Sequence, residues 1–271
     1  MSDVPVGAFL SGGLDSSAIV YEMSKYNDNL ETFSVGFGDG EPNELKYAKI
    51  ISDEIGTNHN EIKVDNEKVV GSIDRIIYHM DEPKGDPGFV PNFFLSEESK
   101  KKVTVALSGE GADEILGGYT KFKILKYRKF FPKSKYLYQK FAWKDKINCR
   151  LFASIFSPKS LDSYAQMTQF TNTNNTNLIG EIKSNPQTLR DFQYIDIKTR
   201  LVDSFLMKAD KMSMSHALEV RVPFLDHNLV SHCYNLKDSL KINLNKEKYE
   251  LRKYLDSRFK YNLTKSYKSS K

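Results

Sequence analysis

The stretch VGAFLSGGLDSSAIVYEMSKY, residues 6 to 26, carries the clearest fold signal in this chain. Its first five residues form a short apolar run that predicts a buried β-strand, and residues 15–26 have the apolar spacing of an α-helix. The intervening loop, SGGLDSS (11–17), therefore joins the end of a strand to the start of a helix. Backbone N–H groups at such a junction, together with the positive end of the helix dipole, attract phosphate.

Each residue type in this loop suits a nucleotide phosphate. Gly12 and Gly13 let the backbone approach a ligand closely because they lack a Cβ. The carboxylate of Asp15 would repel a bare anion, so its expected role is to hold Mg²⁺. The loop matches neither GxxxxGK[ST] nor GxGxxG, and an ordinary glycine turn with helix-capping side chains is the alternative. Three hydroxyl groups can donate hydrogen bonds to phosphate oxygens, those of Ser11, Ser16 and Ser17.

Strand and helix signals alternate through the first 125 residues. Strands are predicted at 31–37, 60–64 and 103–107, and helices at 43–56 and 67–81. This alternation predicts an α/β fold with a parallel, twisted sheet flanked by helices. Beyond about Lys121 we find no strand signal, and residues 195–218 predict one or two helices. We therefore expect a single domain over 1–271, with an α/β nucleotide-binding core at 1–125 and a mainly helical part at 126–271.

Composition indicates a soluble protein with a mixed surface. Apolar residues make up 39% of the 271 residues, and 40 basic residues face 35 acidic ones. No apolar run is long enough to span a membrane, and no basic leader precedes the loop, so we expect a cytoplasmic protein without membrane contact. Cys149 and Cys233 fit neither a disulfide framework nor a CxxC site. The lysine-rich tail (260–271) could touch nucleic acid, but we expect a solvated terminus and no nucleic-acid partner.

Four further segments follow SGGLDSS along the chain. They are MDEPKGDPGFVPNFFLSE (80–97), VALSGEGADEILGGY (105–119), LMKADKMSMSHALEVRVPFLD (206–226) and KYELR (248–252). In this order the segments resemble the motifs of the synthetase domain of the asparagine synthetase family, which belongs to the ATP pyrophosphatases. The resemblance implies an adenine nucleotide alpha hydrolase-like fold. It also implies ATP-dependent amidation of aspartate to asparagine through a β-aspartyl-AMP intermediate, with release of AMP and pyrophosphate and with ATP and Mg²⁺ as cofactors.

The resemblance also assigns roles to individual residues. It makes Glu110 the general base and brings Lys248 to the polyphosphate. Asp113 joins Asp15 as a second candidate ligand of Mg²⁺. The expected adenine and ribose contacts are Leu10, Val35, Ser108 and Gly109, and Asp86 becomes a candidate substrate or metal residue. The residue types themselves make Gly117, Glu219 and Arg221 further expected substrate contacts.

Plainer interpretations stay open for several of these residues. Leu10 and Val35 are equally suited to the core, and Glu219 with Arg221 can form a structural ion pair because charges within an apolar run are usually paired. Glu110 can be a carboxylate that the dipole of a helix N-terminus stabilises. The spacing from Glu110 to Asp113 and Glu114 predicts that all three share one helical face.

The nitrogen source is a separate question. In family members that use glutamine, a glutaminase domain begins with a cysteine directly after the initiator methionine, whereas Ser2 follows Met1 here. We therefore expect no glutaminase domain in this chain, which would be a partial chain or a stand-alone synthetase half. Its partners would be aspartate and ammonia, or ammonia from a glutaminase domain or subunit, and a homodimer is compatible with the resemblance. The alternatives are a relative that amidates or cyclises another carboxylate, and a truncated nucleotide-binding piece without turnover.

Overall fold

A five-stranded parallel sheet forms the centre of the protein. The computed structural model describes residues 2–38, 44–82, 84–127, 188–244 and 246–260. The strand order is β3-β2-β1-β4-β5, and every neighbouring pair is parallel. This confirms the predicted parallel sheet. The strands are β1 (Val6–Phe9), β2 (Glu31–Phe37), β3 (Asn58–Val64), β4 (Val105–Leu107) and β5 (Glu219–Arg221).

Helices connect and flank these strands, as the alternating pattern predicts. In the first part of the chain they are α1 (Leu14–Ser24), α2 (Glu44–Ile55), α3 (Asn66–Met80), α4 (Phe89–Ser99), α5 (Ala112–Leu116) and α6 (Thr120–Tyr127). In the second part they are α7 (Leu189–Asp196), a π-helix (Ile197–Leu206), α8 (Met207–Met214), a short 3-10 helix (Pro223–Leu225), α9 (His227–Asn235), α10 (Asp238–Lys241) and α11 (Tyr249–Asp256). The predicted helical character of the second part is thus confirmed for its described residues.

Two apolar clusters hold the helices to the sheet. One contains Ala8 of β1 and joins residues of α1, α2, α5, α9 and α11. The other contains Phe33 of β2 and Ala106 of β4, and joins residues of α3, α4 and α8. A parallel sheet needs helices on both faces because its crossovers place them there and because its strands are apolar on both sides.

The strand β5 corrects the expectation that the second part of the chain carries no strand. Residues 218–222 read LEVRV, an alternation of apolar and polar residues that is typical of a half-buried strand. Leu218 is fully buried in the second cluster, whereas Glu219 and Arg221 are exposed. The two charges that interrupt the apolar run therefore lie on the solvent face of an edge strand. The strand has only three residues and begins directly after the predicted helical stretch 195–218, so its alternating pattern is short.

The structure describes one of the two cysteines. Cys233 is a free, buried thiol, while Cys149 lies outside the described residues. Within the described ranges, no helix combines the length and the apolar character that crossing a membrane requires.

The packing of Leu218 yields a stability prediction. Leu218→Ala should lower the free energy of unfolding by about 2–5 kcal/mol, because it leaves a cavity beneath β5. Leu244→Ala is the matched control, since that side chain is 79% exposed and its truncation should change stability by less than about 0.5 kcal/mol. Urea denaturation followed by circular dichroism measures both. Equal midpoints for the two variants would contradict the packing of β5 described above.

Candidate functional site

The sheet topology selects one crevice. From β1 the chain proceeds outward to β2 and β3, whereas β4 and β5 lie on the other side of β1. The point between β1 and β4 is therefore a topological switch point, where α/β sheets bind ligands beyond the carboxyl ends of their strands. SGGLDSS follows β1 at this edge, and the segment that begins with Ser108 follows β4. The two motifs, about ninety residues apart in the sequence, are thus neighbours.

The loop after β1 is held by its own serines. The Ser16 hydroxyl accepts a hydrogen bond from the Ser11 backbone N–H at 3.2 Å and lies 3.0 Å from the Ser11 hydroxyl. The Ser11 hydroxyl also accepts from the Gly13 N–H at 3.3 Å. The Ser17 N–H donates to the Gly13 carbonyl at 3.0 Å, which closes the first turn of α1. These hydrogen bonds fix the conformation of the loop without a ligand. The first N–H groups of α1 have no partner within the helix and can donate to a ligand in the loop.

Two glycines allow neighbouring segments to approach this loop. Gly12 has a φ of +75°, and a Cβ there would lie 2.6 Å from backbone and side-chain atoms of Tyr47 on α2. A Cβ at Gly109 would lie 3.0 Å from the Cβ of Asp15. The close approach of Gly109 places the residues after β4 directly against the start of α1.

Two buried polar atoms at the start of α1 have no hydrogen-bond partner in the part of the chain that the structure describes. They are Oδ1 of Asp15 and the hydroxyl oxygen of Ser17. Buried polar atoms are nearly always satisfied in native proteins, so an exception at a predicted site calls for an explanation. A ligand with phosphate oxygens and a cation would satisfy both atoms.

Lys248 joins the two motifs. Its Nζ lies 2.5 Å from Oδ2 of Asp15 and 2.8 Å from Oδ1 of Asp113, and its side chain is only 5% exposed. Lys248 is the residue before α11 and has a left-handed backbone, with φ of 50° and ψ of 43°. A non-glycine residue in this conformation costs about 1–2 kcal/mol. The surrounding contacts must therefore hold the lysine there.

The electrostatics of this cluster follow from burial and from its charges. Burial alone would lower the pKa of Lys248, but the carboxylates of Asp15 and Asp113 raise it well above its usual range. Burial raises the pKa of Asp15, and Lys248 acts against that rise. Two carboxylates around one ammonium group leave the cluster with a formal charge of −1. This sign suits the approach of a divalent cation.

Glu110 lies in the turn between β4 and α5, which corrects the prediction that it shares a helical face with Asp113 and Glu114. Gly111 has a φ of +89° and α5 begins only at Ala112. A Cβ at Gly111 would overlap the side chain of Leu225, and the positive φ is strained for any other residue, so glycine suits this turn. Glu110 therefore precedes the helix and is separated from it by the left-handed Gly111.

The surroundings of Glu110 raise the pKa of its carboxyl group towards neutral pH. Burial, the largest influence, raises the pKa of Glu110 to about 7. Four charged groups face it: Lys208 lowers the pKa, while Glu114, Asp113 and Asp15 raise it. No hydrogen bond to this carboxyl is present among the described residues. A carboxyl group with a pKa near 7 suits a general base at neutral pH.

Glu114 and Tyr119 form a hydrogen-bonded pair behind Glu110. The Tyr119 hydroxyl donates to Oε1 of Glu114 at 2.5 Å, and Glu114 is fully buried. Burial raises the pKa of Glu114. The Gln193 side chain donates to the backbone carbonyls of Glu114 and Ile115 at 2.7 Å and 2.9 Å. These contacts anchor the short helix α5, which carries Asp113.

Asp86 contacts a lysine that the sequence analysis did not single out. Oδ2 of Asp86 lies 2.9 Å from Nζ of Lys208 on α8, and Oδ1 accepts from the Gly88 N–H at 2.8 Å. Burial acts to raise the pKa of Asp86, but Lys208 and the Gly88 N–H outweigh it and lower the pKa. Lys208 is 7% exposed. Its position three residues before Lys211 in a lysine-rich helix gave no sequence signal.

The other residues predicted to contact ATP or the substrate lie in the core, at strand ends or on the surface. Leu10 is buried in the first apolar cluster, and Val35 packs partly buried against the second. Ser108 donates its N–H to the Arg221 carbonyl at 2.9 Å, and Arg221 forms an exposed ion pair with Glu219 at 2.6 Å. Gly117 ends α5 in a left-handed conformation and packs against Ile242. The predicted ligand contacts of these six residues stay predictions.

Mg²⁺ fits the residues that are present when a nucleotide supplies the other ligands. Across the described segments, no group of three or more His, Cys, Asp or Glu side chains is arranged to hold a metal ion by itself. Mg²⁺ is usually bound by one or two carboxylates together with substrate phosphates and waters. Asp15 and Asp113 provide such a pair, and Asp15 has an unpartnered oxygen.

Comparisons with known proteins agree on one family. The sequence profile described as Asparagine synthase matches residues 1–268. A glutamine-hydrolyzing asparagine synthetase 1 of Bacillus subtilis is 34% identical over 277 residues, which cover 93% of this chain. A putative glutamine-hydrolyzing asparagine synthetase of Mycobacterium tuberculosis is 34% identical over 280 residues, or 94% of this chain. The chain spans less than half of these relatives, 44% and 43% of their length.

A comparison with solved structures gives a weaker similarity. A structure described as a predicted subunit of tRNA methyltransferase from Methanocaldococcus jannaschii is 15% identical, with a TM-score of 0.33. The alignment covers 93% of this chain and 87% of that one. Similarity at this level supports no conclusion about function.

Gly118 provides a test of the cluster around Lys248. A Cβ at Gly118 would overlap Oδ1 of Asp113 and Cε of Lys248. Gly118→Ala should therefore push these side chains apart and lower the free energy of unfolding by about 1–3 kcal/mol. Gly71→Ala is the control, because its Cβ would point into open space within α3 and should stabilise by about 0.5–1 kcal/mol. Thermal unfolding of both variants measures the difference, and a stable Gly118→Ala would contradict the described contact.

Proposed function

Because the chain belongs to the asparagine synthase family, we propose that it carries the ATP-dependent half of asparagine synthesis. In this reaction the side-chain carboxylate of aspartate attacks the α-phosphate of ATP, and pyrophosphate leaves. Ammonia then attacks the β-aspartyl-AMP intermediate, which gives asparagine and AMP. A carboxylate is a poor acyl donor because its leaving group would be oxide, and adenylation replaces that group with AMP.

One observation carries this proposal: Lys248 meets Asp15 and Asp113 beside the loop after β1. A kinase-type P-loop holds its lysine within the loop itself. Here the lysine comes from a segment 233 residues further along and lies at the junction of the two motifs. A positive charge in this place can stabilise negative charge that develops on the departing pyrophosphate.

The residues of the loop have separate tasks in this proposal. The N–H groups of α1 and the Ser17 hydroxyl bind phosphate oxygens, and Gly12 lets the backbone approach them. Asp15 and Asp113 would hold Mg²⁺, which when bound supplies charge neutralisation on the polyphosphate. Lys248 would then shift from the two carboxylates towards the phosphates.

Glu110 is the proposed general base. An ammonia nitrogen that attacks an acyl group carries a surplus proton, and a nearby carboxylate must accept it. Glu110 is close enough to Asp15 for their charges to interact, and its pKa of about 7 allows it to be ionised at the start of this step and protonated at its end. Gly109 brings this carboxylate to the start of α1, where the phosphates would bind.

The nitrogen source and the assembly belong to the same proposal. The relatives that this chain matches carry the term glutamine-hydrolyzing in their names, and the chain spans about 44% of their length. We infer that the described site uses ammonia, supplied free or by a glutaminase domain or subunit. A homodimer stays a prediction.

Product analysis tests the proposed reaction. With aspartate, ammonia and Mg-ATP, the chain should form AMP, pyrophosphate and asparagine in equal amounts, measured by liquid chromatography and a pyrophosphate assay. Formation of ADP and phosphate would overturn attack at the α-phosphate. Binding of ATP without any product would favour a nucleotide-binding piece without turnover, and pyrophosphate release with another carboxylate alone would favour a relative of different substrate specificity.

Glu110→Gln should separate the two half-reactions. The variant should retain exchange of pyrophosphate into ATP, which precedes proton transfer, but lose asparagine formation by about 10²–10⁴-fold. In the unchanged protein, kcat/KM should fall as the pH drops below about 7, because protonated Glu110 accepts no proton. Glu67→Gln on exposed α3 is the control and should leave both activities unchanged. Equal loss of both half-reactions in Glu110→Gln would contradict the assigned step.

A further inference from the structure

Lys208 is a buried cation that the phosphate chemistry does not use. Its side chain is 8% exposed, and its Nζ lies 5.1 Å from the centre of the Phe205 ring. Among the described residues, Asp86 provides its one hydrogen-bond acceptor, at 2.9 Å. An ammonium group has three donors, so two of them have no acceptor in this part of the protein. Burying such donors is costly, which points to a ligand that accepts them.

Lys208 also faces the reacting end of the site. Its positive charge acts on the carboxyl of Glu110 and lowers the pKa of that group, and the Glu110 carboxyl has no hydrogen-bond partner within the described ranges. The loop before α4 keeps Asp86 and Lys208 together: a Cβ at Gly88 would lie 2.6 Å from Nζ of Lys208 and 2.9 Å from Oδ1 of Asp86. Glycine at this position therefore lets the backbone of the loop pack closely against the ion pair.

The cluster offers groups of both signs at one place. Lys208 has two donors for an anion, and each oxygen of Asp86 has lone-pair capacity beyond the bonds to Lys208 and Gly88. Arg200 on the π-helix adds positive charge near Asp86. An α-amino acid head, with one carboxylate and one ammonium group, matches this pair of charges.

We propose that Lys208 binds the α-carboxylate of the amino-acid substrate and that Asp86 binds its α-ammonium group. The side-chain carboxylate of that substrate then extends past Glu110 towards the loop after β1. The inference rests on the proposed function and deepens it, because it selects acidic α-amino acids over other carboxylates. Lys208 is a specificity residue in this arrangement and takes no part in bond breaking.

Substrate analogues test the proposal without any mutation. β-Alanine keeps the reacting carboxylate and the amine of aspartate but lacks its α-carboxylate, and succinate lacks only the amine. Equilibrium dialysis with the full 271-residue chain should show aspartate binding at least about tenfold tighter than either analogue, since each lacks one charge-assisted contact. Equal binding of the three compounds would overturn the proposal. This measurement needs no turnover, so it stands apart from the failure or success of the proposed reaction.

Variants then assign the contact to Lys208. Lys208→Met should weaken aspartate binding by about tenfold to a hundredfold while leaving β-alanine binding unchanged, because β-alanine never uses the lysine. The KM for Mg-ATP should stay the same. Lys208→Arg, which keeps the charge, should retain aspartate binding within about threefold.

Lys101→Met is the matched control, because it removes an exposed lysine just after α4. It should change the binding of neither aspartate nor β-alanine. A loss of aspartate and β-alanine binding in equal proportion in Lys208→Met would show a structural role and would overturn the assignment. Unchanged aspartate binding in Lys208→Met would overturn it as well.

Discussion

The ammonium group of Lys248 lies between the carboxylates of Asp15 and Asp113, and the geometry of the site depends on this contact. The three residues come from the start of α1, from α5 and from the residue before α11. Removing one member of a buried ion pair typically costs about 3–5 kcal/mol, because the partner is left charged in a poorly solvated place. The cluster thus ties the first and the last described parts of the chain together at the point where the proposed reaction occurs.

The parallel sheet makes this meeting possible. All five strands end at the same edge, so loops that are far apart in the sequence project into one crevice. The switch between β1 and β4 opens that crevice, and glycines at positions 12, 109 and 118 allow the neighbouring segments to approach within contact distance. A larger residue at position 109 or 118 would collide with Asp15 or with Asp113 and Lys248, and one at position 12 would collide with Tyr47 of α2.

Two acid–base environments coexist in this small region. Glu110 has a pKa near 7 because it is buried without a hydrogen bond among the described residues, whereas the pKa of Asp86 is lowered by Lys208 and a backbone N–H. The first group can therefore exchange a proton at neutral pH, while the second stays ionised and can hold a cationic group. Burial and hydrogen bonding, and not residue type, separate a proposed base from a proposed binding residue.

Local patterns in the sequence determined the α/β class, the loop after β1 and most helices, because strand and helix periodicity is written in consecutive residues. They also contained β5, as the alternation LEVRV. The tertiary structure alone decided that Lys248 contacts Asp15 across 233 residues, that Glu110 lies in the turn before α5, and that Lys208 pairs with Asp86 across 122 residues. Such contacts follow from how the strands order themselves and how helices pack on them, and no local periodicity encodes that arrangement.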